Sequence, residues 1–349
     1  MPQHVGRRWI ASLIAVLVGG LLTVSPSGAS EGSQPEAQVE PQVSEVRYGP
    51  IFVPPASEAR AGQASIFTPY APMPCTNCYL TGAEIDMVFE DGRSANLDSG
   101  VMLHHMVVFN TGRPDATCAP DTAVGSLGER FFAAGNERTA GHLPEGFGYH
   151  LGTDRVQAVV EIMNHTTEPQ TVYLATKASH VPDSTKGMKA VTPIWMDENN
   201  CGSSTYSVPA GESNKVATWT SDRTGRFVFA GGHVHDGGLR TVLANESTGE
   251  QMCTSYAGYG TNPAYMGTVE SMTTCGHDRI GVVREGEKLS LDTYYDSPVA
   301  QDDVMGIMLA YLHETDDLNG GTPASPQSRP ANNTPPDTLP SHGGHGGHH

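Results

Sequence analysis

The sequence predicts an all-β protein of two domains, and three observations predict it. Glycine and proline (40 and 25 of 349 residues) punctuate the chain often, which suits short strands joined by turns. Residues rich in β-branched, aromatic or methionine side chains recur with a period near two in six runs: Val101–Phe109, Val156–Met163, Thr171–Thr176, Arg226–Ala230, Lys288–Tyr294 and Val304–Tyr311. No amphipathic stretch exceeds two helical turns, the best short helix candidate being Gly128–Asn136. Antiparallel sheets follow.

The ends read differently from the middle. Arg7 and Arg8 precede an apolar run from Trp9 to Val24, and Ser27-Gly28-Ala29 offers small residues for cleavage, so 1–29 reads as an export signal. The Arg7-Arg8-Trp9 start is compatible with twin-arginine export, and a retained membrane anchor is the alternative, for which the run is short. Residues 30–47 form a polar, flexible lead-in. Composition is globular over 48–315, with a division at Trp195–Gly202 that gives one β domain over 48–196 and another over 197–315. From 316 to 349 the chain is Gly, Pro, Ser and Asn and reads as disordered. It ends on His342, His345, His348 and His349, which suit loose copper or nickel binding.

Charge and cysteines narrow the function classes. With 38 acidic and 20 basic residues the formal net charge is −18, which argues against nucleic acid or an anionic membrane as partner. All six cysteines (Cys75, Cys78, Cys118, Cys201, Cys253 and Cys275) follow the export signal. An even number in an exported chain reads as three disulfides, for which sequence alone leaves about fifteen pairings. Cys75-Thr-Asn-Cys78 is alternatively a redox or zinc pair, but there is no second CxxC to complete a zinc site.

Two histidine motifs carry the chemistry. In Gly231-Gly232-His233-Val234-His235 the histidines stand at i and i+2, so on a strand both imidazoles face one side and can converge on one ion. The strand beginning at Asp302 supplies a thioether, from Met305 or Met308, and two histidines with a methionine favour copper, Cu(I) in particular. In Leu103-His104-His105-Met106 the histidines are adjacent. On a regular strand they face opposite sides, so they share a metal only at a bulge or a strand end. Asp236 is either an acceptor for a ligand histidine or a turn aspartate.

In order and spacing these motifs resemble the copper type II, ascorbate-dependent monooxygenases, the family of peptidylglycine α-hydroxylating and dopamine β-monooxygenases. The similarity rests on His104-His105-Met106, on His233-Val234-His235 lying 129 residues after His104, and on Met305 lying 70 residues after His235. It implies two tandem jelly-roll β-sandwich domains with a cleft between them. It further implies one copper on His233, His235 and Met305 that activates O2 and hydroxylates a C–H bond. A second copper, on His104 and His105, would pass on an electron from ascorbate. The disulfides implied are Cys78–Cys118, Cys75–Cys201 and Cys253–Cys275. The family's third histidine at the second copper aligns with Met163 here, leaving His165 as the candidate ligand and His150 as a weaker one. The arginine by which the peptide-amidating branch holds a carboxylate aligns with Gly231, so peptide amidation is not expected. The reading is an exported copper monooxygenase acting on a small or peptide-like substrate with O2 and a reductant. The alternative is a non-catalytic copper-binding protein on the same scaffold.

Overall fold

Alternation along a strand buries one face, whereas a strand covered on both sides turns apolar throughout. Both patterns occur. The strand Gly211–Thr220 is largely exposed, while the first six residues of Gly225–Val234 are all buried. The first strand therefore lies on the outside of the molecule and the second within it.

The computed structural model describes residues 39–57, 61–68, 70–260 and 265–338. The export signal, the start of the lead-in and the four terminal histidines lie outside these residues. The first half carries β1 (Gln42–Val53), β2 (Gly62–Thr68), β3 (Cys78–Val88), β4 (Val101–Asn110), β5 (Glu129–Gly135), β6 (Gly141–His142), β7 (Phe147–Leu151), β8 (Val156–Asn164), β9 (Gln170–Pro182) and β10 (Lys189–Ala190). The second carries β11 (Thr192–Asp197), β12 (Thr205–Val208), β13 (Gly211–Thr220), β14 (Gly225–Val234), β15 (Gly238–Asn245), β16 (Glu250–Tyr259), β17 (Val269–Met272), β18 (Thr274–Val283), β19 (Lys288–Ser297) and β20 (Gln301–Glu314). All six period-two runs fall in strands, and the protein is all-β with antiparallel sheets packed as sandwiches.

The two halves repeat one strand order. The first pairs β1-β9-β3-β7-β10 in one sheet and β2-β8-β4-β5 in another, and the second pairs β11-β20-β14-β18 and β13-β19-β15-β16-β17. Setting aside the short or peripheral β6, β10, β12 and β17, both halves read first-eighth-third-sixth against second-seventh-fourth-fifth. The chain passes between the halves at Val191, so β11, with Trp195 and Asp197, pairs with β20.

Several expectations change, the first being that residues 42–47 of the lead-in are strand, the start of β1 paired with β9. Gly128–Asn136 is not a helix but β5, whose burial is nearly complete. Seven residues are too few to sustain a helix alone, and tertiary packing decides their state. The disulfides are Cys75–Cys78, Cys118–Cys201 and Cys253–Cys275, so two of the three implied pairings are corrected. Cys78 opens β3, facing Leu151 and Pro182 of neighbouring strands. Cys118 lies before β5 beside Arg130 and Asn200, within reach of Cys201. Residues 316–338 contain no helix or strand, yet they lie against the second half. Asn333 is buried there and donates from its amide to Leu239 O and Ala257 O.

The cleft expected between the sandwiches is largely filled. Sheet β2-β8-β4-β5 faces sheet β11-β20-β14-β18, with Trp195, Met305 and Ile307 buried among Val107, Ala133 and Leu309. Polar pins accompany them. Arg130 donates to both oxygens of Asp115, lies 3.6 Å from Asp197, and sits over the Trp195 ring. Tyr311 Oη donates to Phe131 O. Breaking such a buried ion pair costs about 3–5 kcal/mol. The Cys118–Cys201 bridge adds about 2–4 kcal/mol by constraining the unfolded chain.

Candidate metal centre

His104 and His105 come together through an irregularity. β4 pairs with β8 as Leu103↔Ile162 and then His105↔Glu161, so two residues of β4 oppose one of β8. That extra residue is a β-bulge at His104, which turns the adjacent side chains toward a common point. Both rings reach Glu161 Oε2, His104 through Nδ1 at 3.2 Å and His105 through Nε2 at 2.9 Å. Gln63 on β2 donates to the other carboxylate oxygen. Among the described residues, His104, His105 and Glu161 form the group whose ligand atoms all lie within 4.8 Å of one another.

His233 and His235 need no irregularity. Phe229, Gly231 and His233 share the face of β14 turned toward the first half, and His235, the residue after β14, sets its ring beside His104, while Ala230 and Val234 go into the second half's cores. The two rings lie 5.3 Å apart, centroid to centroid. β14 pairs with β20 through His233↔Ile307 and Val234↔Gly306, where the ladder ends, so His235 and Met305 are the residues that follow on either side. Buried Tyr295 fixes that juxtaposition, since its hydroxyl accepts from His235 N–H (2.8 Å) and donates to Met305 O (2.6 Å). Met305 lines the same cavity as His105 and His233, whereas Met308 is fully buried in the second half's core.

The two motifs meet. His105 and His104 have centroids 4.7 Å apart, and His104 and His235 are 5.1 Å apart. With His233 the four imidazoles form one contiguous run across the junction of the halves. The resemblance implied two separate sites, and this geometry does not keep them separate. His165 is not brought to His104 and His105. It lies beyond the end of β8, its N–H on Gly100 O, four residues past Glu161, a distance of about 13 Å along extended chain. Met163 is buried against Met102 and Gln63, and His150 lies in the outer sheet against Tyr79 and Arg113. Asp236 serves the turn, its Oδ1 accepting from Val269 N–H.

The donor chemistry fits a metal. His233 Nδ1 meets Glu137 Oε1 at 2.9 Å, while its Nε2 is buried with no hydrogen-bond partner among the described residues. An imidazole braced by a carboxylate on one nitrogen and bare on the other is the usual state of a metal-binding histidine. Burial works to raise the Glu137 carboxyl, but the charge and hydrogen bond of His233 hold it below the ordinary range. For His233 burial favours the neutral ring, and Glu137 more than reverses this. At Glu161 burial again pushes upward, and hydrogen bonds from His104 and His105 hold the carboxyl well below its ordinary value.

Three residues of this centre escape a reading of the sequence: Glu137, Glu161 and Tyr295. Glu161 faces His105 only because of the bulge, and Glu137 arrives from the turn after β5. A side chain on Gly135 would come within 2.4 Å of Glu137 Oε2 and 2.8 Å of His233 Cε1, so glycine there leaves room for that pair. Gly232 has a different use. Its face meets Thr241 Oγ1 at 2.2 Å and Ser255 Cβ at 2.9 Å from where a Cβ would stand, so it permits close sheet packing, not ligand approach. The signal that was available is at Glu161, a carboxylate inside the apolar run Val159–Met163, whereas Glu137 lies in the polar run Asn136–Thr139 and gives none.

Comparison with known proteins finds relatives named for copper. The "Probable copper-dependent oxygenase M1" of Phoma sp. is 30% identical over 293 residues, which span 78% of this chain and 73% of that protein. The "Probable copper-dependent oxygenase clz3" of Cochliobolus lunatus is 30% identical over 247 residues, spanning 65% of this chain and 77% of that protein. The chain belongs to the family of these copper-dependent oxygenase relatives. The model of the SURNod19 family, "Stress up-regulated Nod 19", matches residues 176–315, a span with His233, His235 and Met305 but without His104 and His105. Among solved structures, the major capsid protein P2 of bacteriophage PM2 matches 80% of this chain and 100% of that one at 10% identity. Its TM-score of 0.29 is too low to carry an argument.

Proposed function

We propose that this chain is a copper-dependent monooxygenase that hydroxylates a substrate C–H bond. The observation that carries the reading is the contiguous run of His105, His104, His235 and His233, with His233 Nε2 buried and without a partner among the described residues. His233, His235 and Met305 are one donor set, and His104, His105 and Glu161 the other. Two histidines with one carboxylate would also suit non-haem iron. The thioether of Met305 and the copper-dependent naming of the relatives favour copper. The repeated strand order supports reading each half, divided at Val191, as a jelly roll.

The overall change is R–H + O2 + 2 e⁻ + 2 H⁺ → R–OH + H2O, with both electrons from a reductant such as ascorbate. Copper, when bound, supplies the one-electron steps between reductant and O2. Glu137 fixes the tautomer and direction of His233, and Tyr295 ties the backbones of His235 and Met305. Trp195 and Ile307 exclude water beside them. Adjacent donor sets make electron transfer across a cleft unnecessary. Three disulfides support an exported setting, and among the described residues no helix is long and apolar enough to cross a membrane.

The test is metal analysis combined with O2 uptake. Copper bound to the native chain, with ascorbate-dependent O2 uptake lost in His235→Ala, is the expected result. Iron in place of copper would overturn the metal assignment. Copper without turnover under any reductant would leave a copper-binding protein.

A further inference from the structure

A cavity of about 310 Å³ lies where the two halves meet, with His105, His233 and Met305 in its wall. That volume is at the lower end of the range for small-molecule sites, about 300–1,000 Å³. Val107, Phe132 and Ala133 line one side and Phe229, Ile307 and Leu309 the other, all apolar. The two charged residues in the wall besides the histidines are already engaged. Arg130 spends its guanidinium on Asp115, Thr117, Asn200 and Asp197, and Glu137 faces His233. Transferring a charged ligand here would leave it desolvated without a counter-charge, a cost of several kcal/mol. Ser204 donates to Asp197, Ser203 pairs with Asn199 and Thr205, and Thr139 accepts from Met272 N–H, which leaves the Thr274 hydroxyl to orient a neutral polar group.

We propose that this cavity is the substrate site and that it takes an uncharged, predominantly apolar molecule, alkyl or aromatic, with the bond to be oxidised at the histidine end. The proposal rests on the oxygenase reading for its chemistry, but the binding preference can be measured without metal. Gly231 offers the means of blocking it. Its backbone is not left-handed, and a Cβ there would meet Thr274 Cγ2 at 3.4 Å and Phe229 Cε1 at 3.6 Å, close to ordinary contact. A larger side chain at 231 therefore grows into the cavity instead of into backbone.

The experiment titrates metal-free protein with 1-octanol, butylbenzene and octanoate by calorimetry, and repeats the titration on Gly231→Leu and Gly231→Phe. At least one neutral probe should bind at least tenfold more tightly than octanoate. Both variants should weaken that binding at least tenfold while keeping the native copper stoichiometry and unfolding midpoint. Binding of octanoate as tight as that of the neutral probes, binding of neither neutral probe, or unchanged affinity in both variants would overturn the proposal. Copper loading of the same samples separates the two readings. A chain that binds octanol but no copper sinks the oxygenase assignment, and one that binds copper but no neutral probe sinks the substrate class.

Discussion

The two histidine pairs reach the same space by opposite means. His233 and His235 converge because a strand's period is two, with β14 regular through His233 and Val234 and His235 the next residue. His104 and His105 converge only because β4 breaks its register against β8. Their supporting carboxylates differ as well. Glu161 sits on the strand beside its pair, whereas Glu137 braces His233 from the other half of the molecule. The second motif thus takes its orienting group from the first half, and neither half builds the centre alone.

The largest effect should come from removing one histidine of each pair. If the four rings serve one centre, His235→Ala and His105→Ala should each abolish turnover and each lower copper retention at both donor sets. Copper stoichiometry by elemental analysis, with the Cu(II) spectrum of the remaining ion, measures this. A variant that loses one ion while the other keeps its native spectrum would restore two independent sites.

The carboxylates separate the pairs more finely. Glu137→Gln keeps the hydrogen bond but not the charge, and should weaken copper binding by about 10- to 100-fold, as is typical of a group that orients a ligand. Glu161→Gln removes a member of the donor set and should cost more than Glu137→Gln in a competition titration against a chelator. Equal losses would mean that Glu161 only orients its histidines.

Much of the fold was legible in the sequence, because period-two runs and turn residues are local signals. All six predicted runs lie in strands, and the HxH pair follows directly from alternation. What was not legible depended on contacts between distant residues. β5 carries no period because it is buried on both sides, so Glu129–Gly135 could pass for a short helix. The pairing of Cys118 with Cys201 requires knowing that the connection before β5 crosses to the turn after β11. The sequence offers His165 or, more weakly, His150 as the third partner of His104 and His105, yet the bulge brings Glu161 there.

Methionine on β20 gives a smaller contrast within one strand. Met305 and Met308 are three residues apart and face opposite sides, one into the cavity and one into the core. Met305→Leu should lower Cu(I) retention more than Cu(II) while leaving the unfolding midpoint near native. Met308→Leu should change only stability, by less than about 1.5 kcal/mol. Chelator competition under reducing and oxidising conditions, beside thermal unfolding, measures both. Equal Cu(I) loss in the two variants would remove Met305 from the donor set.

The smallest effect concerns a carboxylate with no such partners. Glu161 is held low by two histidines, but at Glu198 burial pushes the carboxyl from 4.5 up to about 7, with Thr293 and Lys215 easing it only in part. No described residue gives its buried oxygens a full hydrogen bond. A carboxyl that is more basic folded than unfolded binds its proton on folding. Its contribution is therefore fully present below about pH 4.5 and is lost as the pH rises through about 7. Glu198→Gln stays neutral throughout, so its unfolding midpoint should stay level over that window while that of the native chain falls relative to it. Parallel midpoint profiles for the two proteins would show that Glu198 ionises in the folded chain as readily as in the unfolded one. The two buried carboxylates would then differ in their neighbours but not in their cost to the fold.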